Sequence, residues 1–393
     1  VFGVTTAEKI FLIQMALFAA GVATIIQTVG YKNIGSRLPI IQGTSFAFIP
    51  IMLPFKAFGL GAIFTAAFIG GIFQIWIGKM LKPIRHMFPP LVTGIVVLMI
   101  GISLLKVGFK YAGGGVWLMN NKPEIFANWE HLLIAGTVLI TALLCNLRGK
   151  GMVSAASILL GIIAGFIMAT LLGEVRFEKI AAAGWFALPM PFQYGIDFVW
   201  GAVILMLFMS IVTTIETIGD ISATTMGGAN REATDKELSG GIMADGVGTA
   251  FASIFNAMPN TSYSQNAGLV AFTGVISRHV GTVAGVILIL LGLFPKLGGI
   301  IAAMPDSVIG GAAIIMFGLI AGAGIKLISK SEMSQRNILI LALSLSFGIG
   351  LYAFPEFVAH IPDFGIKLKL LLTTGLIPAG LLAFVLNATL PKK

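Results

Sequence analysis

The chain has 393 residues, 57% of them hydrophobic and only 10% charged, with a mean hydropathy of +0.98 and a formal net charge of +9. A soluble domain carries about 25% charged residues, and a membrane barrel alternates polar and apolar positions. Both are excluded, and the composition reads as a polytopic α-helical membrane protein.

Thirteen apolar spans follow in chain order: 7–30, 38–54, 60–78, 90–109, 130–147, 152–172, 197–222, 239–256, 258–273, 278–295, 306–327, 337–354 and 369–388. The 49 glycines, well above the usual fraction of about 7%, suit helices that pack backbone to backbone or are interrupted. Basic residues concentrate in alternate connections, among them Lys32, Arg37, Lys79, Lys82, Arg85, Arg148, Arg231, Lys236 and Arg278, and in the tail at Lys392 and Lys393. The opposite connections mix bases with acids such as Glu124, Glu174, Glu178 and Asp363. The positive-inside rule therefore makes the first set, and the C-terminus, cytoplasmic. Scattered charge of this kind points to membrane topology and away from nucleic acid. Val1 then falls outside with no signal peptide, so a further helix is expected to precede it. Fourteen helices divide into two halves of seven, which an odd number forces into opposite orientations.

Spans two and nine are short and proline-led. One opens Leu38-Pro39-Ile40-Ile41-Gln42-Gly43-Thr44-Ser45-Phe46, the other Met258-Pro259-Asn260-Thr261-Ser262-Tyr263-Ser264-Gln265-Asn266. Interrupted spans at matching places in two halves point to a transporter binding site, and their extended backbone needs partners inside protein. The two stretches are expected to pair as a short antiparallel ribbon.

Glu216, Asp220 and Asp245 lie within apolar sequence, where each carboxylate costs about 2.5–3.5 kcal/mol to insert. Glu216 and Asp220 are four residues apart on one helical face, with Thr213 and Thr217 nearby. Two such groups in low dielectric resist joint ionisation, so one is expected to hold a proton. The glycines around Asp245 are expected to admit a neighbouring helix whose backbone or hydroxyl meets the acid. The plainer alternative is that Asp245 glues helices together and Asp220 is a hydrated helix end. His86, His131, His279 and His360 have no metal-ligand neighbourhood, Cys145 is the single cysteine, and no nucleotide-binding loop is present. Neither metal nor cofactor is expected.

The run Gln265-Asn266-Ala267-Gly268 through Thr273-Gly274 resembles the signature of the nucleobase/ascorbate transporter family: Gln or Glu, Asn, any residue, Gly, four residues, Thr, then Arg, Lys or Gly. Arg37 to Phe48 is similar to the family's interrupted third helix, and Ile215 to Asp220 with Ala244-Asp245-Gly246 to its eighth and ninth. The resemblance implies a fourteen-helix 7+7 inverted repeat with two interrupted helices carrying short strands. It implies a core domain over 1–78 and 191–300, and a gate domain over 79–190 and 301–393. It further implies a homodimer in the bacterial cytoplasmic (inner) membrane that moves a nucleobase with H⁺ by an elevator-like mechanism. Gln265 with Gly274 resembles the xanthine and urate carriers, whereas uracil carriers tend to Glu and Arg there. By position, Glu216 and Gln265 are the expected substrate ligands, with Phe46, Ser45 and Ser264 beside them. Glu216, Asp220 and Asp245 are the expected proton-coupling acids, and Gln42, Asn266, Gly268 and Thr273 support the site, Gly268 through close packing. The rival readings are a permease for uracil or another nucleobase, an uncoupled facilitator, and a sulfate or bicarbonate exchanger of shared architecture. The last is expected to lean on helix N-termini and a cation instead of two carboxylates.

Overall fold

The computed structural model describes residues 4–80, 89–361 and 366–391. Of the residues named above, Val1, Lys82, Arg85, His86, Asp363, Lys392 and Lys393 lie outside them. The chain begins with α1 (Thr6–Val29), β1 (Gln42–Thr44), a 3₁₀ turn (Phe46–Phe48), α2 (Ile49–Met52), a second 3₁₀ segment (Leu53–Phe58) and α3 (Gly59–Lys79). It continues through α4 (Pro90–Ala112), α5 (Val116–Asn121), α6 (Trp129–Arg148), α7 (Met152–Ala155), α8 (Ser157–Leu171) and α9 (Glu178–Ala182). Next come α10 (Trp200–Ala229), α11 (Asp235–Ile254), β2 (Asn260–Ser262), α12 (Ser264–Thr273), α13 (Arg278–Gly292) and α14 (Pro295–Ala303). The last elements are α15 (Asp306–Ile328), α16 (Gln335–Ala353), α17 (Pro355–Ala359), α18 (Ile366–Thr373) and α19 (Leu376–Thr389).

Among the described residues, seven helices are long and apolar enough to cross a bilayer, or eight if α13 and α14, bent by 80° at their break, form one span. The thirteen apolar runs are thus not thirteen uniform helices. Spans two and nine start as extended strand, so α12 keeps only ten residues of helix. The thirteenth run is broken at Gly375, whose φ of +67° ends one helix and starts the next. Pro295 marks the bend between α13 and α14, where its ring cannot join the preceding helical ladder.

The chain forms two compact units, Val1–Ile84 with Arg176–Ala303, and Arg85–Val175 with Met304–Lys393. In the first, α1 packs on α13 and α11 on α3, and both crossings are made at glycine pairs. A Cβ on Gly21 would lie 2.5 Å from the Gly285 carbonyl oxygen, and one on Gly285 would lie 2.9 Å from that of Gly21. Gly71 and Gly246 exclude each other's Cβ in the same way, at 2.6 Å in both directions. Without side chains in between, the backbones can touch, which is how helices gain contact where lipid offers no hydrophobic drive. Three residues beyond its crossing glycine, each of α1 and α11 carries a threonine that holds a strand. Thr24 Oγ1 accepts from Gln42 N at 3.0 Å, and Thr249 Oγ1 accepts from Asn260 N at 3.2 Å and donates to Asn260 O at 2.9 Å. Both helices also open with a capping box, Thr5 with Glu8 and Thr234 with Glu237. Buried Leu38, Ile40, Ile77, Ile221 and Ile242 close the core between α3, α10 and α11.

Lys179 on α9 donates to the Ala302 carbonyl at the end of α14 at 3.4 Å. Lys296 on α14 donates to the Ile180 and Ala181 carbonyls of α9 at 2.8 and 3.0 Å. Each short helix therefore caps the C-terminus of the other, where a cation meets unpaired carbonyls. In the second unit α4 packs on α15 and α16 on α19. Arg336 there closes α19 through the Asn387 and Leu390 carbonyls at 2.6 and 3.1 Å.

Candidate functional site

The strands form the expected antiparallel ribbon, Gln42 opposite Ser262, Gly43 opposite Thr261 and Thr44 opposite Asn260. Two flanking backbone bonds extend it, Ser45 N to Pro259 O at 3.1 Å and Tyr263 N to Ile41 O at 3.0 Å. Buried extended backbone is thereby satisfied by its counterpart from the other half of the chain. Opposite residues share a face, so Gln42 and Ser262 point to the same side of the ribbon. That side meets the acids. Gln42 Nε2 donates to Asp245 Oδ1, and the Ser262 hydroxyl donates to Asp220 Oδ2 at 2.6 Å. On the other side Tyr263 lies across Gly43, where a Cβ would collide with its phenol, and its hydroxyl donates to Thr44 O at 3.3 Å.

The long helix α10 tolerates its polar residues because its hydroxyls return to its own carbonyls, Thr213 to Met209 at 3.1 Å, Thr214 to Ser210 at 2.7 Å and Thr217 to Thr213 at 2.9 Å. The Thr217 hydroxyl also reaches Asp245 Oδ2. Asp245 is fully buried between that hydroxyl and the Gln42 amide, as the glycine-rich surroundings predict. Asp220 is buried beneath Ser262, with Ser264 also beside it. The three carboxylates lie within each other's electrostatic reach.

Glu216 differs from its neighbours. It is half-buried and, among the described residues, has no hydrogen-bond partner. Phe46 is 39% exposed on the 3₁₀ turn, and Gln265 and Ser264 are exposed in the first turn of α12, whose N-cap, Tyr263, supplies no side-chain bond. The turn and α12 both pack against α10. Among the described residues the site therefore offers one carboxylate and one amide without a hydrogen-bond partner, a set able to accept from a ligand's N–H and donate to its C=O.

The remaining expected residues have structural partners. Ser45 is buried and its hydroxyl accepts from Ala47 N at 3.2 Å. Asn266 Nδ2 donates to Pro39 O at 2.5 Å, tying α12 to the turn before β1. Thr273 is bonded to Leu269 O at 2.9 Å at the end of α12. Gly268 departs from expectation: a Cβ there would meet nothing within 4 Å, so close packing is not its constraint. Thr24 and Thr249 hold the ribbon, yet sequence reasoning passed over them, because an isolated hydroxyl in an apolar span carries no spacing signal; Ser262 lay in the polar run already singled out, but its bond to Asp220 did not show there. Among the described residues no cluster of His, Cys, Asp and Glu is suited to a metal. At the loop end of α11, Arg231 beside Glu237, at 2.5 Å, holds that carboxyl down at about 2.

A family model described as the Permease family, Xan_ur_permease, matches residues 2–357. The chain belongs to this family. A relative from Clostridium perfringens (strain 13 / Type A) is 38% identical over 388 residues, 98% of this permease and 83% of its own length. Xanthine permease XanP of Escherichia coli (strain K12) is 34% identical over 403 residues, covering 99% of this chain and 86% of its own. Uric acid permease PucJ of Bacillus subtilis (strain 168) is 34% identical over 387 residues, covering 98% and 85%. The fold is that of the transmembrane domain of the cyanobacterial bicarbonate transporter BicA, with a TM-score of 0.54 at 16% identity over 98% of this chain and 97% of that one. Murine Slc26a9 has a TM-score of 0.59 at 12% identity, over 94% of this chain and 66% of its own. The permease is a multi-pass membrane transporter and not an enzyme.

Proposed function

We propose that the permease imports an oxidised purine base, xanthine or urate, together with a proton across the bacterial cytoplasmic membrane, its C-terminus on the cytoplasmic side. The carrying observation is that Glu216, on a helix packed against the elements of Phe46 and Gln265, has no hydrogen-bond partner among the described residues, while Asp220 and Asp245 are already engaged. A purine oxidised at its carbons displays N–H and C=O side by side. Glu216 accepts from the ring N–H, Gln265 matches a donor and an acceptor at once, and Phe46 covers the ring face. Ser45 and Ser264 flank the base. Asn266, Gln42, Gly268 and Thr273 support the site without touching it, Gly268 through its backbone. The named activities of XanP and PucJ support this substrate class.

Hydrogen-bond accounting supports coupling. The single proton of the Thr217 hydroxyl faces two acceptors, Thr213 O and Asp245 Oδ2. With Asp245 ionised, the hydroxyl turns to the carboxylate; with Asp245 protonated, the acid donates to Thr217 and the hydroxyl returns to Thr213 O. The group of three acids thus has a place for one proton, which offsets the charge buried when the site closes. In this reading the unit Val1–Ile84 with Arg176–Ala303 is the core that carries substrate, and Arg85–Val175 with Met304–Lys393 is the gate and dimer contact. The paired Gly-Gly crossings and strand-holding threonines support an inverted repeat, and the core moves as an elevator.

Radiolabelled xanthine uptake into proteoliposomes tests the reading, with urate, guanine, hypoxanthine and uracil as competitors and an ionophore to collapse the pH gradient. Accumulation that follows the gradient, competes with urate and disappears in Glu216→Gln is expected. Undiminished accumulation in Glu216→Gln removes that residue's role, and uptake indifferent to the ionophore favours a facilitator.

A further inference from the structure

At one end of the first unit the structure holds a cavity of about 480 Å³ onto which three lysines converge, Lys32, Lys79 and Lys236. They come from separate places in the chain: the turn after α1, the last residue of α3 and the first turn of α11. The segments are bonded to one another, Gly35 N to Gly240 O at 2.8 Å and the Ser239 hydroxyl to Gly78 O at 2.7 Å, so the lysines converge by construction. Lys32 is held in a tight turn closed by Tyr31 and Ile34, with φ at +52°, a backbone state unusual for a side chain of its length. All three are exposed, and among the described residues none is ion-paired; the first turn of α11 also carries Asp235 and Glu237, the latter held by Arg231. Three like charges around one cavity repel unless an anion joins them.

The rest of the lining narrows the anion. Ile34, Ile75 and Met243 make part of the wall apolar, and the cavity lies at the ends of α1 and α3, two segments long and apolar enough to cross a bilayer, where headgroups are expected. A free small anion has no use for that wall, whereas a phosphate on an apolar stem fits both parts. We propose that this cavity binds the phosphate of an anionic phospholipid, with the glycerol and upper chain against Ile34, Ile75 and Met243. Basic pockets among helix ends recognise such headgroups in this way. The site is separate from the carboxylates and does not depend on the substrate assignment.

The test uses the purified full chain in neutral detergent, titrated in separate arms with phosphatidylglycerol, phosphatidylcholine and inorganic phosphate. Bound lipid is read by native mass spectrometry and melting temperature by intrinsic fluorescence. Phosphatidylglycerol, and not phosphatidylcholine, is expected to be retained and to raise the melting temperature. Lys32→Gln/Lys79→Gln/Lys236→Gln should weaken that retention by about a hundredfold, and the triple Arg variant should keep it, separating charge from folding. A shift with inorganic phosphate, lost in the Gln variant and unaccompanied by retention of phosphatidylglycerol, overturns the lipid assignment and leaves a site for a soluble anion. Equal retention by the wild-type and Gln proteins, or no preference for phosphatidylglycerol, overturns the proposal.

Discussion

Three acids in two helices look equivalent in the sequence, and their partners make them different. Asp245 has an amide and a hydroxyl, Asp220 has serines, and Glu216 has none among the described residues. Thr217→Val removes a donor from a fully buried carboxylate and should cost about 1–3 kcal/mol, seen as a lower melting temperature in detergent. Asp245→Asn keeps the volume and one acceptor but cannot exchange a proton; substrate binding should persist while gradient-driven accumulation is lost, and accumulation at the wild-type level would rule out Asp245 as a coupling group. The Arg231–Glu237 pair sets a contrast in pH. A carboxyl lowered to about 2 contributes stability above its unfolded value, near 4.3, and loses it only as pH falls toward 2. Transport changes between pH 5 and 8 therefore do not arise there, and Glu237→Gln should leave the shape of the pH profile unchanged. The acids were legible because charge in an apolar span is rare, and the Gln265 run because it resembles the family signature. The Thr217, Ser262 and Thr249 contacts were not, because they join residues far apart in the chain.

At the scale of elements, the glycines divide into those that touch and those that do not. Gly246→Leu places a side chain on the Gly71 backbone and should abolish recovery of monodisperse protein, whereas Gly268→Ala should fold normally by size-exclusion and melting. If Gly268→Ala folds yet loses transport, the constraint at 268 belongs to the ligand or to motion. The interrupted spans were visible as proline-led polar openings. Their pairing register was not, because register depends on which residues of each strand reach the acids and threonines around it. The clasp between α9 and α14 was also hidden: a lysine in a connection reads as topology until the helix end it caps is seen.

For the whole molecule, the charge asymmetry of the connections predicts orientation. In a Cys145→Ala background, Arg231→Cys should react with an impermeant maleimide from the cytoplasmic side and Lys122→Cys from the outside; both positions are exposed. Reversed labelling would invert the assigned topology and the direction of import. The likeness to BicA and Slc26a9 at 12–16% identity shows that the same fold serves sequences with little in common, so the substrate has to be argued from the site.

The sequence by itself determined that this is a helical membrane protein, where its spans are interrupted and which carboxylates are out of place, because hydropathy, proline and buried charge are local properties. Only the tertiary structure decided which acid is left free, which glycines are contact points and which lysines share a cavity. Those depend on residues more than two hundred positions apart meeting in space, as Gln42 meets Asp245 and Gly21 meets Gly285, and a hydrogen bond or a steric limit exists only once they do.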